Sequence, residues 1–264
     1  MGIINITPDS FYSASRTIND ASILTKVEQM LDDGADIIDL GAYSSRPGAK
    51  HISQDEEWER LSKPLELIRK KFPEIVLSVD TFRSSIAKNA VNYFNVDMIN
   101  DISAGEMDAK MFSTIAELNV PYIIMHMKGN PENMQTNPIY EHLMREVFLY
   151  FAKKVETLKS LGVSDIIIDP GFGFGKTIDH NYELLSKLDE FKIFEVPILV
   201  GLSRKSMIYK FLNSTPEESL TGTITLNTLA LTKGVQILRV HDVKEAFETV
   251  CLYNKMKQTM SEIT

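Results

Sequence analysis

The residues equipped for chemistry recur at particular places along the 264-residue chain, each just after a short apolar run. These places hold Asn5, Asp80, Asn100, His126, Asp169, Lys205, Arg239 and His241, with the polar stretches Ser44-Ser-Arg-Pro47 and Gly201-Leu-Ser-Arg-Lys205. They sort into two sets. Asp80, Asn100 and Asp169 offer carboxylate and amide groups suited to a flat heterocycle rich in N–H groups. Such in-plane pairing discriminates strongly, because a wrong ligand leaves buried polar atoms unpaired. Asn5, Ser45, Arg46, Arg239 and His241 suit phosphate oxygens, which arginine binds through two parallel N–H groups. The run Asp169-Pro-Gly-Phe-Gly-Phe-Gly-Lys176 is a glycine-rich loop carrying two aromatics, without the Gly-x-x-x-x-Gly-Lys-Ser/Thr spacing of a P-loop.

The elements that must position these groups alternate along the whole chain. Strands are predicted at Gly2–Ile6, Ile37–Leu40, Val76–Val79, Met98–Asn100, Tyr122–Met125, Ile166–Asp169, Ile198–Gly201 and Ile237–Val240. Near-continuous apolar runs of this kind suit a parallel sheet covered on both faces. Between them, apolar spacing of three and four predicts helices over Ile23–Leu31, Glu56–Lys71, Ile86–Tyr93, Met111–Leu118, Tyr140–Leu161, Asn181–Leu188, Thr221–Thr232 and Lys244–Lys257. Eight strands, each followed by a helix, predict an α/β fold of the (β/α)₈ TIM-barrel class. A doubly wound open sheet is disfavoured, since no Gly-x-Gly-x-x-Gly turn follows the first strand. The reading is one domain over 1–264, with the barrel spanning 1–258 and a C-terminal tail at 259–264. In such a barrel the loops after the strands converge on one mouth, so the polar groups above share a rim. Asp101 and Asp242 are explained singly by the turn and capping preferences of aspartate. His126 fits a core histidine at a strand end as well as a rim contact. Cys251 reads as a buried filler.

Composition narrows the partners. A net charge of −8 argues against nucleic acid, whose phosphates call for a basic field, but leaves room for a local anion pocket. One cysteine excludes an internal disulfide and suits a reducing compartment. No apolar run reaches the ~20 residues of a membrane span, and a signal-peptide start is absent, so the expectation is a cytoplasmic protein.

The blocks resemble the signature segments of the dihydropteroate synthase family, in order and in register, from Met1 to about Val243. They are Gly2-Ile-Ile-Asn-Ile-Thr-Pro-Asp-Ser-Phe11, Ser44-Ser-Arg-Pro-Gly-Ala49, Ser78-Val-Asp-Thr-Phe82, Ile99-Asn-Asp101, Met125-His-Met127, the Asp169–Lys176 run, Gly201-Leu-Ser-Arg-Lys-Ser206 and Arg239-Val-His-Asp242. The resemblance implies a transferase that joins dihydropterin pyrophosphate to p-aminobenzoate, with loss of pyrophosphate by an Sɴ1-like route. It implies that Asp80, Asn100, Asp169, Lys205 and Arg239 grip the pterin, and that Asp80, Asp169, Lys205 and Arg239 are catalytic. Asn5 would hold a Mg²⁺ on the pyrophosphate, with Ser45, Arg46, Arg239 and His241 as anion contacts. Ser45, Arg46, Pro47, Phe174, Ser203 and Lys205 would border the p-aminobenzoate pocket. It further implies a homodimer through late helices, and sensitivity to sulfonamides as arylamine mimics. The chain departs from the family pattern after Phe11, where Tyr12-Ser-Ala-Ser-Arg16 lacks the second acid that many relatives carry.

Two other classes fit less well. A pterin-binding methyl-carrier barrel needs no pyrophosphate site, which Arg46, Arg239 and His241 would furnish. A metal-dependent hydrolase barrel wants His-x-His after the first strand, where this chain has Asn5-Ile-Thr7.

Overall fold

A computed structural model describes residues 1–6, 16–44, 51–129, 134 and 138–263. It contains the parallel strands β1 (Gly2–Asn5), β2 (Ile37–Gly41), β3 (Val76–Asp80), β4 (Met98–Asp101), β5 (Tyr122–Met125), β6 (Ile166–Asp169), β7 (Leu199–Val200) and β8 (Ile237–Leu238). The first six form a sheet in sequence order, and β7 pairs with β8. Two single parallel bridges, Ile168 to Ile198 and Gly2 to Val240, close the gaps and complete the ring. Backbone bonds from Val240 N to Met1 O and from Ile3 N to Val240 O, both 2.9 Å, strengthen the second closure. The predicted barrel is therefore formed.

Helices α1 (Arg16–Asp32), α2 (Gln54–Lys71), α3 (Ser84–Phe94), α4 (Met111–Leu118), α5 (Leu143–Ser160), α6 (Ile178–Ser186), α7 (Ser206–Tyr209), α8 (Leu220–Thr232) and α9 (Val243–Ile263) follow the strands. Several boundaries differ from those predicted. The two last strands are shorter, because only two residues of each pair fully with the other. Helix α6 starts three residues early, where Thr177 and His180 form a reciprocal cap: the Thr177 hydroxyl accepts from His180 N and the His180 ring from Thr177 N. Helix α9 continues through Ile263, so most of the stretch predicted as a tail is helical.

Alternation along the strands decides which residues reach the mouth. Ile38, Leu40, Leu77, Val79, Ile99, Tyr122, Ile124, Ile166, Ile168, Ile198 and Val200 pack outward with the helices in one core. Met98, Ile123, Ile167 and Leu199, with Met1, Ile37 and Ile237, form a separate apolar layer inside the barrel. Two residues further along the same inward parity stand Asp39, Asn100, Met125, Asp169, Gly201 and Arg239. The apolar plug thus forces a polar ring directly above it.

The opposite end of the barrel is tied by Arg69 on α2. Its guanidinium donates to the carbonyls of Phe94 at 3.2 Å, Pro73 and Ile75 at 2.8 Å and Asn95 at 2.6 Å, and to Asp97 at 2.7 Å. All five donor sites of a planar fork are used to join the end of α2 to the starts of β3 and β4. Arg69→Met should lower the unfolding free energy by about 2–3 kcal/mol, the scale of lost charge-assisted bonds. Urea melts would measure this, and turnover per folded molecule should be unchanged; an unaltered midpoint would show the tie to be incidental.

Candidate active site

The inward ring is knitted around Arg239, the residue just past β8. Its Nε donates to Asp39 Oδ2 at 2.7 Å, and Nη2 reaches Asp39 Oδ2 at 2.6 Å and Asp80 Oδ2 at 2.8 Å. Asn100 Nδ2 donates to the same Asp39 oxygen at 3.1 Å. Register makes this possible: Asp80 is the neighbour of Asn100 on one side and of Gly41 on the other. A side chain at Gly41 would press on Asp80, since its Cβ would sit 3.3 Å from that of Asp80. Asp39 is fully buried, and its second oxygen, Oδ1, has no hydrogen-bond partner.

The rest of the rim is held by two loops. After β6, Asp169 Oδ1 accepts from Gly171 N at 2.8 Å. After β7, Lys205 Nζ donates to the Phe172 carbonyl and stands 4.7 Å from the centre of the Phe174 ring. Ser203 Oγ accepts from the backbone N–H of His241 at 3.2 Å and lies 3.0 Å from its Nδ1. The direction of that bond sets the tautomer: with the Ser203 hydroxyl donating to Nδ1, a neutral His241 carries its proton on Nε2. Arg204, between Ser203 and Lys205, adopts a left-handed φ of 55° and turns away to grip Asp242 through two bonds of 2.9 and 2.7 Å. Phe82, Ile102, Met125, Met127 and Met134, flanked by Tyr43 and Phe174, form an apolar patch beside the polar ring.

Burial dominates the electrostatics. It raises the carboxyls of Asp80 and Asp169, against the pull of Arg239 on the first and of Lys205 on the second. It brings the Lys205 ammonium down to about 8, with Asp169 pulling the other way. Burial also opposes the charge of Arg239, yet Asp39 and Asp80 together hold its pKa above the usual value. His241, although exposed at the rim, is lowered first by partial desolvation of its ring and then by Arg239, and is neutral. The charged groups of the ring therefore keep their charges only through one another, and a ligand that replaces one partner perturbs the others.

Asp80, Asn100, Asp169, Lys205, Arg239, Ser203, His241 and Phe174 line this one mouth as the sequence predicts. Asn5 ends β1, half-buried, beside Gly41 of β2. Ser45, Arg46 and Pro47 lie outside the described residues. Asp101 is the structural group its position suggested. Facing outward, its carboxylate accepts from Ser103 N at 2.7 Å, Gly105 N at 2.8 Å and the Tyr122 hydroxyl at 2.6 Å. Cys251 is exposed on α9, contrary to its reading as a filler. Asp39 was missed. It sits inside an apolar strand at the parity of Ile37, and a lone acid at that parity was the available signal. Missed too was Glu57 of α2, which is fully buried and bound by Arg83 and the Thr81 hydroxyl, so that the residues just after Asp80 are tied to α2.

A ring of acids, amide and arginine stands above an apolar plug at the C-terminal mouth of a parallel barrel, and the comparisons with known proteins point to one family, that of the pterin binding enzymes. The model of that family, described as pterin binding enzyme, matches residues 1–241. The chain belongs to the dihydropteroate synthase family. It is 40% identical to the dihydropteroate synthase of Escherichia coli strain K12 over 253 residues, which is 95% of this chain and 88% of that protein. The Yersinia pestis dihydropteroate synthase, solved with a sulfonamide drug complex, superposes with a TM-score of 0.90 at 37% identity, covering 98% of this chain and 93% of the other. The Xanthomonas albilineans dihydropteroate synthase, solved with 4-aminobenzoic acid, gives 0.88 at 32% identity, covering 97% and 92%.

Removing Arg239 would strand the buried Asp39 carboxylate. Arg239→Ala should therefore cost about 3–5 kcal/mol of stability as well as ligand binding, as breaking a buried pair does. Adding Asp39→Asn should restore most of the stability without restoring binding of an anionic pterin. Equal losses in the single and double variants would show that Asp39 is not the charge Arg239 neutralises.

Proposed function

We propose that this enzyme condenses 6-hydroxymethyl-7,8-dihydropterin pyrophosphate with p-aminobenzoate, giving 7,8-dihydropteroate and pyrophosphate in folate biosynthesis. The observation that carries the reading is the hydrogen-bonded ring of Asp39, Asp80, Asn100 and Arg239 beside Asp169 and Lys205, with an apolar patch along one side. A flat, N–H-rich ring meets in-plane acceptors on the acids, and its face meets the patch. Binding exchanges bonds: heterocycle N–H groups replace Arg239 on Asp80, and the guanidinium turns to the ring face and the leaving phosphates. Arg239 and the Nε2–H of His241 then stabilise the charge that grows on the departing pyrophosphate. The buried acids stabilise the cationic pterin methylene that an Sɴ1-like step leaves behind. Phe174, Ser203 and Lys205 border the place from which the arylamine attacks, with Ser45, Arg46 and Pro47 assigned to the same pocket by the family pattern.

The residues fit a Mg²⁺ requirement. Asn5, half-buried at the end of β1, would offer one hard amide oxygen to such an ion, and no group of three His, Cys, Asp or Glu able to cage a metal occurs among the described residues. That set suits an ion held mostly by substrate phosphates and water, with Asn5 as its protein ligand. When bound, the ion would neutralise charge on the leaving group.

A homodimer is part of the reading. Leu229 of α8 and Phe247, Leu252 and Met256 of α9 are exposed apolar residues on late helices that pack on each other. No helix among the described residues is long and apolar enough to cross a membrane, which accords with a cytoplasmic site of action.

With Mg²⁺ and both substrates, the protein should release pyrophosphate and form dihydropteroate, and sulfonamides should compete with p-aminobenzoate. Pterin binding without condensation would overturn the enzyme reading. An Sɴ1-like step should scramble the bridging oxygen of labelled dihydropterin pyrophosphate before any arylamine is added; strict dependence on arylamine would favour direct displacement. The lowered pKa of Lys205 sets a pH limit. Because its ammonium loses its proton as pH rises through about 8, affinity for the dihydropterin should fall on that alkaline side. Lys205→Gln should abolish the limb, and its persistence in that variant would assign it to another group.

A further inference from the structure

The loop after β6 contains a buried cation that the reaction leaves unused. The loop passes through Gly171, Gly173 and Gly175, all left-handed, with φ of 72°, 82° and 61°. It lies directly on the backbone that follows β5. A Cβ at Gly171 would come within 1.9 Å of the His126 carbonyl oxygen, and one at Gly175 within 2.4 Å of that of Lys128. At the loop's end Lys176, only 3% exposed, folds back beneath it. Its Nζ lies 2.9 Å from His126 Nδ1, 2.9 Å from Gly171 O, 3.2 Å from Phe174 O and 3.3 Å from His126 O. Three ammonium protons are shared among these acceptors, within a site dry enough to bring the lysine down to about 7. Burial holds His126 neutral, with Nδ1 an acceptor for the lysine. The Asp169 carboxylate at the end of β6 offsets part of this desolvation cost, and the carbonyls that the ammonium holds in place offset the rest.

The ammonium holds both ends of one turn. Gly171 O and Phe174 O are fixed by Lys176, and the turn between them is closed by Phe174 N to Gly171 O at 3.1 Å. Within that turn, the Phe172 carbonyl is the acceptor of Lys205, and the Phe174 ring lies under the same ammonium. We propose that Lys176, with His126 as its inner acceptor, is a positioning residue that shapes the loop after β6 for the arylamine substrate. It acts through Phe172 and Phe174 and touches no reacting atom. The proposal rests on the reading of Phe174 as a border of the p-aminobenzoate pocket.

The test compares Lys176→Ala, His126→Leu and His126→Asn in the full-length enzyme. Lys176→Ala should raise KM for p-aminobenzoate by about tenfold or more, the scale of a lost charge-assisted bond, while KM for the dihydropterin substrate and kcat move far less. Propylammonium, which supplies the deleted methylenes and charge, should restore the arylamine KM in that variant and leave the wild type unaffected. His126→Leu should shift the same constant in the same direction, and His126→Asn, which keeps an acceptor near Nδ1, should recover most of it. Faster hydrogen exchange at the amides of 172–175 in Lys176→Ala is expected whatever the activity, so this arm stands even if the wild type proves not to condense an arylamine. Protected amides in that variant would overturn the proposal, as would lowered thermal stability with an unchanged arylamine KM, or equal losses for both substrates.

Discussion

The mouth of this barrel depends on one half-buried cation, the guanidinium of Arg239, shared by the acids of two other strands. An isolated Asp39 carboxylate with no exposed surface would be untenable, and Asp80 beside it would add repulsion. Arg239 makes both tolerable, and in doing so it links β8 to β2 and β3 across the mouth. The linkage matters because β7 and β8 are short and the ring is closed by single bridges on either side of them. The charge cluster at the candidate site thus also helps to hold this sector of the barrel in register. Stability and site are hard to separate here by single substitutions for that reason.

Strand parity explains why the acids have different fates. Asn100 and Asp101 are adjacent in the chain, yet one joins Asp39 inside the mouth and the other is consumed by Tyr122 and two backbone amides outside it. Arg204 and Lys205 divide likewise. The left-handed backbone at Arg204 sends its guanidinium to Asp242, while its two neighbours stay at the rim. That strain is retained where two successive loops are locked together beside the candidate site, as strained residues at functional sites often are.

Much of this was legible in the sequence. The barrel followed from the alternation of β-branched runs with amphipathic stretches, and the rim from polar residues at the ends of those runs. The signal failed where the side chain's surroundings, and not its type, decide its role. Asp39 hides inside an apolar strand and is revealed only by counting inward positions from Ile37. His126 could not be assigned from its own residue type, because its environment is set by a lysine fifty residues away in the chain. Glu57 follows Asp55 and Glu56 in the first turn of α2, and nothing in its residue type tells that Arg83 and Thr81 reach it there. Helix ends erred where a cap was unconventional, as with a histidine closing the box at Thr177.

Two lysines clasp the loop after β6, and their difference is instructive. Lys205 approaches from the mouth, and the Asp169 carboxylate is an electrostatic partner of both lysines. Lys176 approaches from beneath, among carbonyls and a neutral imidazole, where no ligand competes for it. Lys205 depends on Lys176, since it finds the Phe172 carbonyl only if the turn presenting it keeps its shape. Glycine supplies that turn's backbone freedom and therefore none of its rigidity. The rigidity comes from a buried charge whose hydrogen bonds have no aqueous alternative, which makes distortion of the loop more costly than its glycine content alone would suggest.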